Sequence, residues 1–96
     1  MRVRWLRAAC LNLDRICTHI AQDDPQAASR VIQQIVDRVD DLAAGPNLDT
    51  SRPGRVAGTR ELVIPPSYVI PFRVKGGGLQ AIRVFHTRQR LPDKLP

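Results

Sequence analysis

Cysteine is scarce in this sequence, and no long hydrophobic run occurs in it. Its two cysteines, Cys10 and Cys17, lie seven positions apart on a predicted helix. Their Cα atoms would be about 10 Å apart at ~1.5 Å per residue, beyond the ~7 Å reach of a disulfide. Because no CxxC spacing or histidine cluster accompanies them, we expect two small buried hydrophobic residues rather than a disulfide or metal site.

Signal-peptide and membrane segments are also missing. Arg7, Asn12 and Asp14 interrupt the apolar core that a signal peptide requires, and no stretch approaches the ~20 apolar residues of a membrane span. The fractions of 43% hydrophobic and 25% charged residues are those of an ordinary globular protein. At 96 residues the chain has room for one core. We therefore expect a single domain over residues 1–96, located in the cytoplasm and not associated with a membrane.

Acidic residues are rare in the second half of the chain. Residues 1–50 contain six arginines and seven aspartates, whereas residues 51–96 contain nine arginines or lysines against Glu61 and Asp93. The net charge of +6 therefore belongs to the second half. Clustered cations attract phosphates and carboxylates and steer association, so a polyanionic or acidic partner is expected there. A solvated basic face that only keeps the protein soluble is the alternative.

The first half predicts a short strand followed by two helices. Val3 and Trp5 alternate with arginines as in a strand, and apolar residues then recur at helical spacing. Asp24 and Pro25 suit the N-cap and first turn of the second helix, and Gly45 before a proline is expected to end it in a left-handed conformation. A tight break between the helices predicts an antiparallel helix hairpin over about 7–44.

The second half predicts a polar connection followed by three antiparallel strands over about 58–86. A glycine-rich turn at 75–78 would pair Val74 with Leu79. Continued without interruption, this register places Ser67 opposite His86, unless a bulge occurs near Pro71, which cannot donate to the ladder. The fold class is therefore α+β, with a strand and a helix hairpin packed on a small, mainly antiparallel sheet, and a basic tail at 87–96.

Seven short pieces of sequence follow one another in an order that is specific when taken together. They are Arg4-Trp5, Ile16 to Ala21, Asp24-Pro25-Gln26-Ala27-Ala28, Gly54-Arg55, Gly58-Thr59-Arg60-Glu61-Leu62, Tyr68-Val69-Ile70-Pro71-Phe72-Arg73-Val74 and Val84-Phe85-His86. Across nearly the whole chain this order resembles the RelE/ParE superfamily of bacterial toxins from type II toxin–antitoxin modules. The resemblance implies a cognate antitoxin and a hetero-oligomeric toxin–antitoxin complex. We expect the antitoxin to dock on the helix hairpin, whose apolar stripes exceed what a small sheet can cover.

Two mechanisms occur within that superfamily. ParE-like members are implied to poison DNA gyrase without cutting nucleic acid, and RelE-like members to cut messenger RNA on the ribosome. RNA cleavage would use Arg60 and Arg73 as cations and His86 as an acid or base. A threonine follows His86 where nuclease members often carry tyrosine. No second proton-transfer group is evident nearby except Glu61, which strand alternation points away from Arg60. The helix turn and the Gly-Thr-Arg-Glu-Leu strand look more ParE-like, so gyrase poisoning is the preferred hypothesis.

The residues expected to contact gyrase are cationic. They are Arg60, Arg73, Arg83, Arg88 and Arg90. In a purely structural interpretation, Arg60, Glu61 and Arg73 would be salt-bridged sheet residues and His86 a strand-end cap. A third class of function is a basic binding module without toxicity. No cofactor is indicated, because the sequence has neither a metal-ligand cluster nor a glycine-rich nucleotide fingerprint.

Overall fold

The computed structural model describes residues 1–46, 48 and 50–88. Two helices pack on a mixed, mostly antiparallel sheet, which confirms the predicted α+β class. The elements in chain order are β1 (Arg2–Trp5), α1 (Arg7–Ala21), α2 (Pro25–Ala44), β2 (Arg52–Pro53), β3 (Arg60–Ile64), β4 (Tyr68–Lys75), β5 (Gly78–Ala81) and β6 (Phe85–His86).

The two ends of α2 are formed differently. The Asp24 carboxylate accepts hydrogen bonds from the backbone N–H groups of Gln26 and Ala27, at 3.1 and 3.0 Å, so the predicted N-cap is confirmed. The left-handed conformation predicted for Gly45 is wrong, because its φ of −74° and ψ of 162° are extended. The physical reason is Pro46, whose ring disfavours helical conformations in the preceding residue.

The sheet has the strand order β1-β5-β4-β3-β2, with β6 also paired to β4. Only β1 runs parallel to its neighbour, β5; the other described pairs are antiparallel. The short strand β2 lies in a stretch predicted to be loop. Two residues, one of them proline, are too few to produce the alternation by which strands are recognised.

The register of the last hairpin follows the prediction near the turn, and the bulge allowed for near Pro71 changes it at the far end. Gly76 and Gly77, with φ of 60° and 75°, form the turn, and Val74 pairs with Leu79 as expected. At the far end, however, Tyr68 rather than Ser67 lies opposite His86. Residues 82–84 contain one residue more than the facing part of β4, and the Ile82 N–H donates to the Pro71 carbonyl at 2.9 Å. This bulge shifts the register by one.

The main core lies between the helices and one side of the sheet, which we call the inner face. Its members include Ala9 of α1, Ile35 of α2 and, from the sheet, Leu62 and Phe72. Trp5 packs against this core. Both cysteines are free, but Cys10 is exposed, so its predicted burial is wrong. Cys10 follows Ala9, and adjacent residues on a helix point in directions about 100° apart.

Candidate functional site

Arg60 is the first residue of β3 and holds the preceding connection against the sheet. Its Nε donates to Ser51 Oγ at 2.7 Å, and one terminal amino group donates to the Ser51 carbonyl at 3.0 Å and the Leu48 carbonyl at 3.5 Å. Leu48 in turn packs against the core. Arg60 therefore satisfies backbone carbonyls that the sheet and helices do not reach.

Arg73 lies on the opposite side of the sheet, which we call the outer face. Arg60 pairs with Phe72 of β4, and consecutive strand residues point to opposite faces, so Arg73 faces away from Arg60. The Arg73 Nε donates to Gln80 Oε1 at 3.0 Å across the β4–β5 pair. The bulge also places His86 beside Tyr68 on the inner face, so Arg73 and His86 do not share a face, contrary to the uninterrupted register.

His86 is fixed by its neighbours in β4 and in the following turn. Its ring meets the Tyr68 ring edge-on, with centroids 5.7 Å apart and planes inclined at 76°. Its Nδ1 accepts a hydrogen bond from the backbone N–H of Arg88 at 3.1 Å. That bond requires an unprotonated Nδ1, so a neutral His86 carries its proton on Nε2. Arg60 lies opposite Phe72 and His86 opposite Tyr68, and these two β4 residues are four positions apart, about 14 Å at ~3.4 Å per residue.

A groove of about 250 Å³ lies between α1 and the β4–β6 end of the sheet. It brings His86 together with three side chains of α1, namely Asn12, Arg15 and His19. His19 is exposed. The remaining walls are mostly apolar: Ile16, Ile20, Tyr68 and Val84. The groove therefore combines two imidazoles, one guanidinium and one phenol.

Burial raises the pKa of the Tyr68 phenol above its ordinary value of 10.0. The buried hydroxyl loses hydration that would stabilise the phenolate, so the neutral form is favoured. At neutral pH Tyr68 is consequently a hydrogen-bond donor at the groove wall rather than a charge. Its ring also limits the orientations open to His86.

Asn12 connects α1 to the bulge. Its Oδ1 accepts a hydrogen bond at 3.0 Å from the backbone N–H of Val84, 72 positions further along the chain. In a regular strand that N–H would be available to a neighbouring strand. Asn12 thus stabilises the bulge, and the bulge determines that His86 lies on the inner face.

Sequence patterns identified no second proton-transfer group for His86, although α1 supplies one in His19 and a cation in Arg15. Arg15 and His19 are four residues apart and therefore share one side of α1. This spacing can be read from the sequence and indicates that the two side chains lie close together. The part of the sheet that they face depends on how α1 crosses it, which local sequence patterns do not encode.

Glu61 is buried on the outer face, with 4% of its surface exposed. As predicted from strand alternation, it points away from Arg60. Its carboxylate instead meets Arg52 of β2 at 2.9 Å and, more distantly, Arg55 at 3.9 Å, and it accepts a bond from the Arg55 backbone N–H at 3.3 Å. A buried carboxylate requires such partners. Glu61 therefore holds the segment that contains Arg52 and Arg55 against the sheet.

The other predicted contact residues lie near the end of the described chain. Arg83 lies in the bulge, and its buried Nε has no hydrogen-bond partner among the described residues. Arg88 is exposed, two residues after His86. Arg90 lies outside the described residues, as does most of the predicted basic tail.

Among residues 1–46, 48 and 50–88, no group of three or more histidine, cysteine or acidic side chains is arranged to hold a metal ion. Neither described helix is long and apolar enough to cross a membrane.

Comparison with known proteins identifies the family. Residues 3–91 match the family model of the ParE toxin of the type II toxin–antitoxin system parDE. Y4kP of Sinorhizobium fredii (strain NGR234) is 41% identical over 95 residues, covering 98% of this chain and 96% of the relative. Toxin RelE2 of Caulobacter vibrioides is 34% identical over 87 residues, covering 88% and 93%.

A solved structure agrees with these sequence relatives. A chain of the chromosomal ParDE toxin–antitoxin system from P. aeruginosa superimposes with a TM-score of 0.80 at 34% identity, covering 90% of this chain and 95% of that one. The sequence matches and the structural match therefore indicate the same kind of protein over most of the chain. The protein belongs to the ParE toxin family of type II toxin–antitoxin systems.

Proposed function

We propose that this toxin arrests bacterial growth by poisoning DNA gyrase in the cytoplasm, and that a cognate antitoxin neutralises it. The observation that carries the proposal is the separation of Arg60, Arg73 and His86. Arg73 is on the outer face, Arg60 binds the carbonyls of Ser51 and Leu48, and His86 lies at the other end of the inner face. Charge stabilisation and proton transfer at one phosphate require these groups to converge within hydrogen-bond reach. A gyrase poison requires only a recognition surface.

The test is a plasmid cleavage assay with purified, antitoxin-free protein, DNA gyrase, ATP and supercoiled plasmid. Linear plasmid that accumulates only when both toxin and gyrase are present is the expected result. A reaction without gyrase controls for contaminating nuclease. Growth arrest in cells combined with no gyrase-dependent cleavage would overturn the proposal.

A ribosome-dependent endoribonuclease is the second candidate, favoured by the groove around His86. His19 supplies a second imidazole and Arg15 a cation on the same groove wall. An imidazole pair can act as general base and general acid in cleavage by a 2′-hydroxyl. Cleavage of ribosome-bound message by the purified protein would favour this candidate. Absence of growth arrest on expression would instead indicate a basic binding module.

We further propose that the antitoxin docks on the helix hairpin. A depression between α1 and α2 is lined by the apolar groups of Leu13, Cys17 and Ile32. An amphipathic segment would cover these side chains by the helix-in-groove mode. Co-purification with the product of the adjacent gene is expected, and Ile32→Asp should weaken it. A stable monomer that ignores that product would contradict the docking proposal.

A further inference from the structure

The outer face of the sheet carries a line of cations on each side of β5. In the parallel β1–β5 pair, Arg4 lies beside Gln80 and Arg2 beside Gly78. In the antiparallel β4–β5 pair, Arg73 lies beside Gln80 and Lys75 beside Gly78. Paired residues share a face, so two rows of three residues cross the sheet. We call this the β5 trough, with Gly78 and Gln80 as its floor and Arg2, Arg4, Arg73 and Lys75 as its walls.

The floor of the trough is low and uncharged. Gly78 has no side chain, and the Gln80 amide accepts the Arg73 Nε–H at 3.0 Å. A Cβ at position 78 would lie 3.3 Å from the Arg2 carbonyl oxygen, tighter than ordinary contact. At ~4.8 Å between strands, the walls on β1 and β4 are about 10 Å apart. The trough is thus wide enough for one extended chain.

The charge on this face is unbalanced. Arg2, Arg4 and Lys75 are exposed, and Arg73 is half-buried. The described strands place a single carboxylate on the outer face, that of Glu61, and Arg52 already binds it at 2.9 Å. Three exposed cations, Arg2, Arg4 and Lys75, therefore line the trough with no carboxylate among the described residues of its walls and floor, and the half-buried Arg73 adds a fourth cation, held by Gln80. Arg2 and Arg4 come from the acidic half of the sequence, so a charge count by halves does not reveal them.

We propose that the β5 trough binds an extended acidic segment of a partner protein in which every second residue is aspartate or glutamate. Alternate residues of an extended chain lie ~6.8 Å apart on one side. The two cations of each wall are also two positions apart on one strand, so the spacings match. Arginine and lysine bind carboxylates through charge-assisted hydrogen bonds.

The observations favour a peptide over single-stranded nucleic acid. Single-strand binding sites combine a cationic groove with aromatic side chains on which bases stack. The walls and floor of the trough contain no aromatic residue. Trp5, Tyr68 and Phe72 belong to the inner face. Phe85 is on the outer face, but it lies opposite Val69, four positions along β4 from Arg73 and so about 14 Å beyond the trough at ~3.4 Å per residue.

Peptide binding by the trough is separate from the proposed gyrase poisoning and can be tested without gyrase. Fluorescence anisotropy would measure binding of a labelled peptide that alternates glutamate and threonine, a peptide of equal composition with its glutamates in one block, and an oligothymidylate of equal charge. The alternating peptide should bind several-fold more tightly than the other two. The double variant Arg4→Gln/Lys75→Gln should lose about tenfold in affinity for it.

The matched control is Arg30→Gln/Arg38→Gln, which removes the same charge from exposed positions of α2. It should change affinity less than twofold. Equal losses in the two double variants would reduce the effect to net charge and overturn the proposal. Tighter binding of oligothymidylate, lost in the trough variant alone, would overturn it in favour of a nucleic-acid site. Circular dichroism of each variant verifies the fold, and Arg2→Gln/Arg4→Gln provides a second variant confined to one wall.

Discussion

Tyr68 and His86 lie directly opposite each other in the sheet, with ring centroids 5.7 Å apart. This pairing is one residue away from the register that the hairpin turn alone predicts. It turns His86 toward α1, Arg15 and His19, and away from the face that carries Arg73. The bulge at residues 82–84 therefore decides which side chains His86 can act with.

Asn12→Ala is expected to destabilise the protein by about 1–2 kcal/mol, because the Val84 N–H loses its acceptor. Urea unfolding followed by circular dichroism would measure the change. Asn12→Asp keeps an acceptor oxygen at the same position and should recover most of the loss. Equal destabilisation by both variants would show that the hydrogen bond contributes little.

Tyr68 is the only tyrosine in the chain, so its ionisation can be followed directly by absorbance near 295 nm. The titration midpoint of the folded protein should lie above 10.0, and that of the protein in urea near the ordinary value. A folded midpoint at or below the unfolded one would contradict the burial argument.

The same shift predicts a pH dependence of stability. The folded state holds the Tyr68 proton more tightly than the unfolded state, so its contribution is complete below the unfolded pKa. That contribution is lost as pH rises from about 10 through the folded pKa. In Tyr68→Phe, this part of the alkaline decline in free energy of unfolding should be absent.

The parts of the fold that the sequence predicted are those determined by neighbouring residues. Asp24 and Pro25 fix the helix turn, and two glycines with positive φ fix the β4–β5 hairpin. Pro71 indicated where a bulge could occur, but the sequence did not show that the extra residue would lie in the facing segment 82–84, because the Val84 N–H there is satisfied by Asn12 from the other end of the chain. Likewise, Arg4 joins Arg73 on one face only through the parallel β1–β5 pair, which no local pattern specifies.

Arg60 and Arg73 should respond differently to truncation, although both were predicted as site residues. Arg60→Ala leaves the Ser51 carbonyl and hydroxyl without a donor and is expected to cost about 2 kcal/mol in unfolding free energy. Arg73→Ala removes a half-buried surface contact to Gln80 and should cost less than about 1 kcal/mol.

Chemical denaturation of the two variants checks this difference, with Arg60→Lys as the control that keeps the charge but not the forked geometry. If Arg60→Ala proved as stable as the unsubstituted protein, Arg60 would be available to a target rather than committed to the connection. Growth assays of Arg60→Ala should be made at a temperature at which the variant remains folded, so that loss of toxicity is not caused by unfolding.

His86→Ala separates the two candidate mechanisms most directly. A gyrase poison does not use His86 for proton transfer, so growth arrest and gyrase-dependent cleavage should stay within a few-fold of the unsubstituted toxin. A nuclease that uses an imidazole acid or base would lose ~10²- to 10⁴-fold in cleavage rate. His19→Ala is the companion variant, since His19 is an exposed residue of α1 that lines the same groove. Loss of toxicity in both variants, with folding intact, would contradict gyrase poisoning and assign catalysis to the groove between α1 and β6, because two imidazoles that only pack there would not both be required.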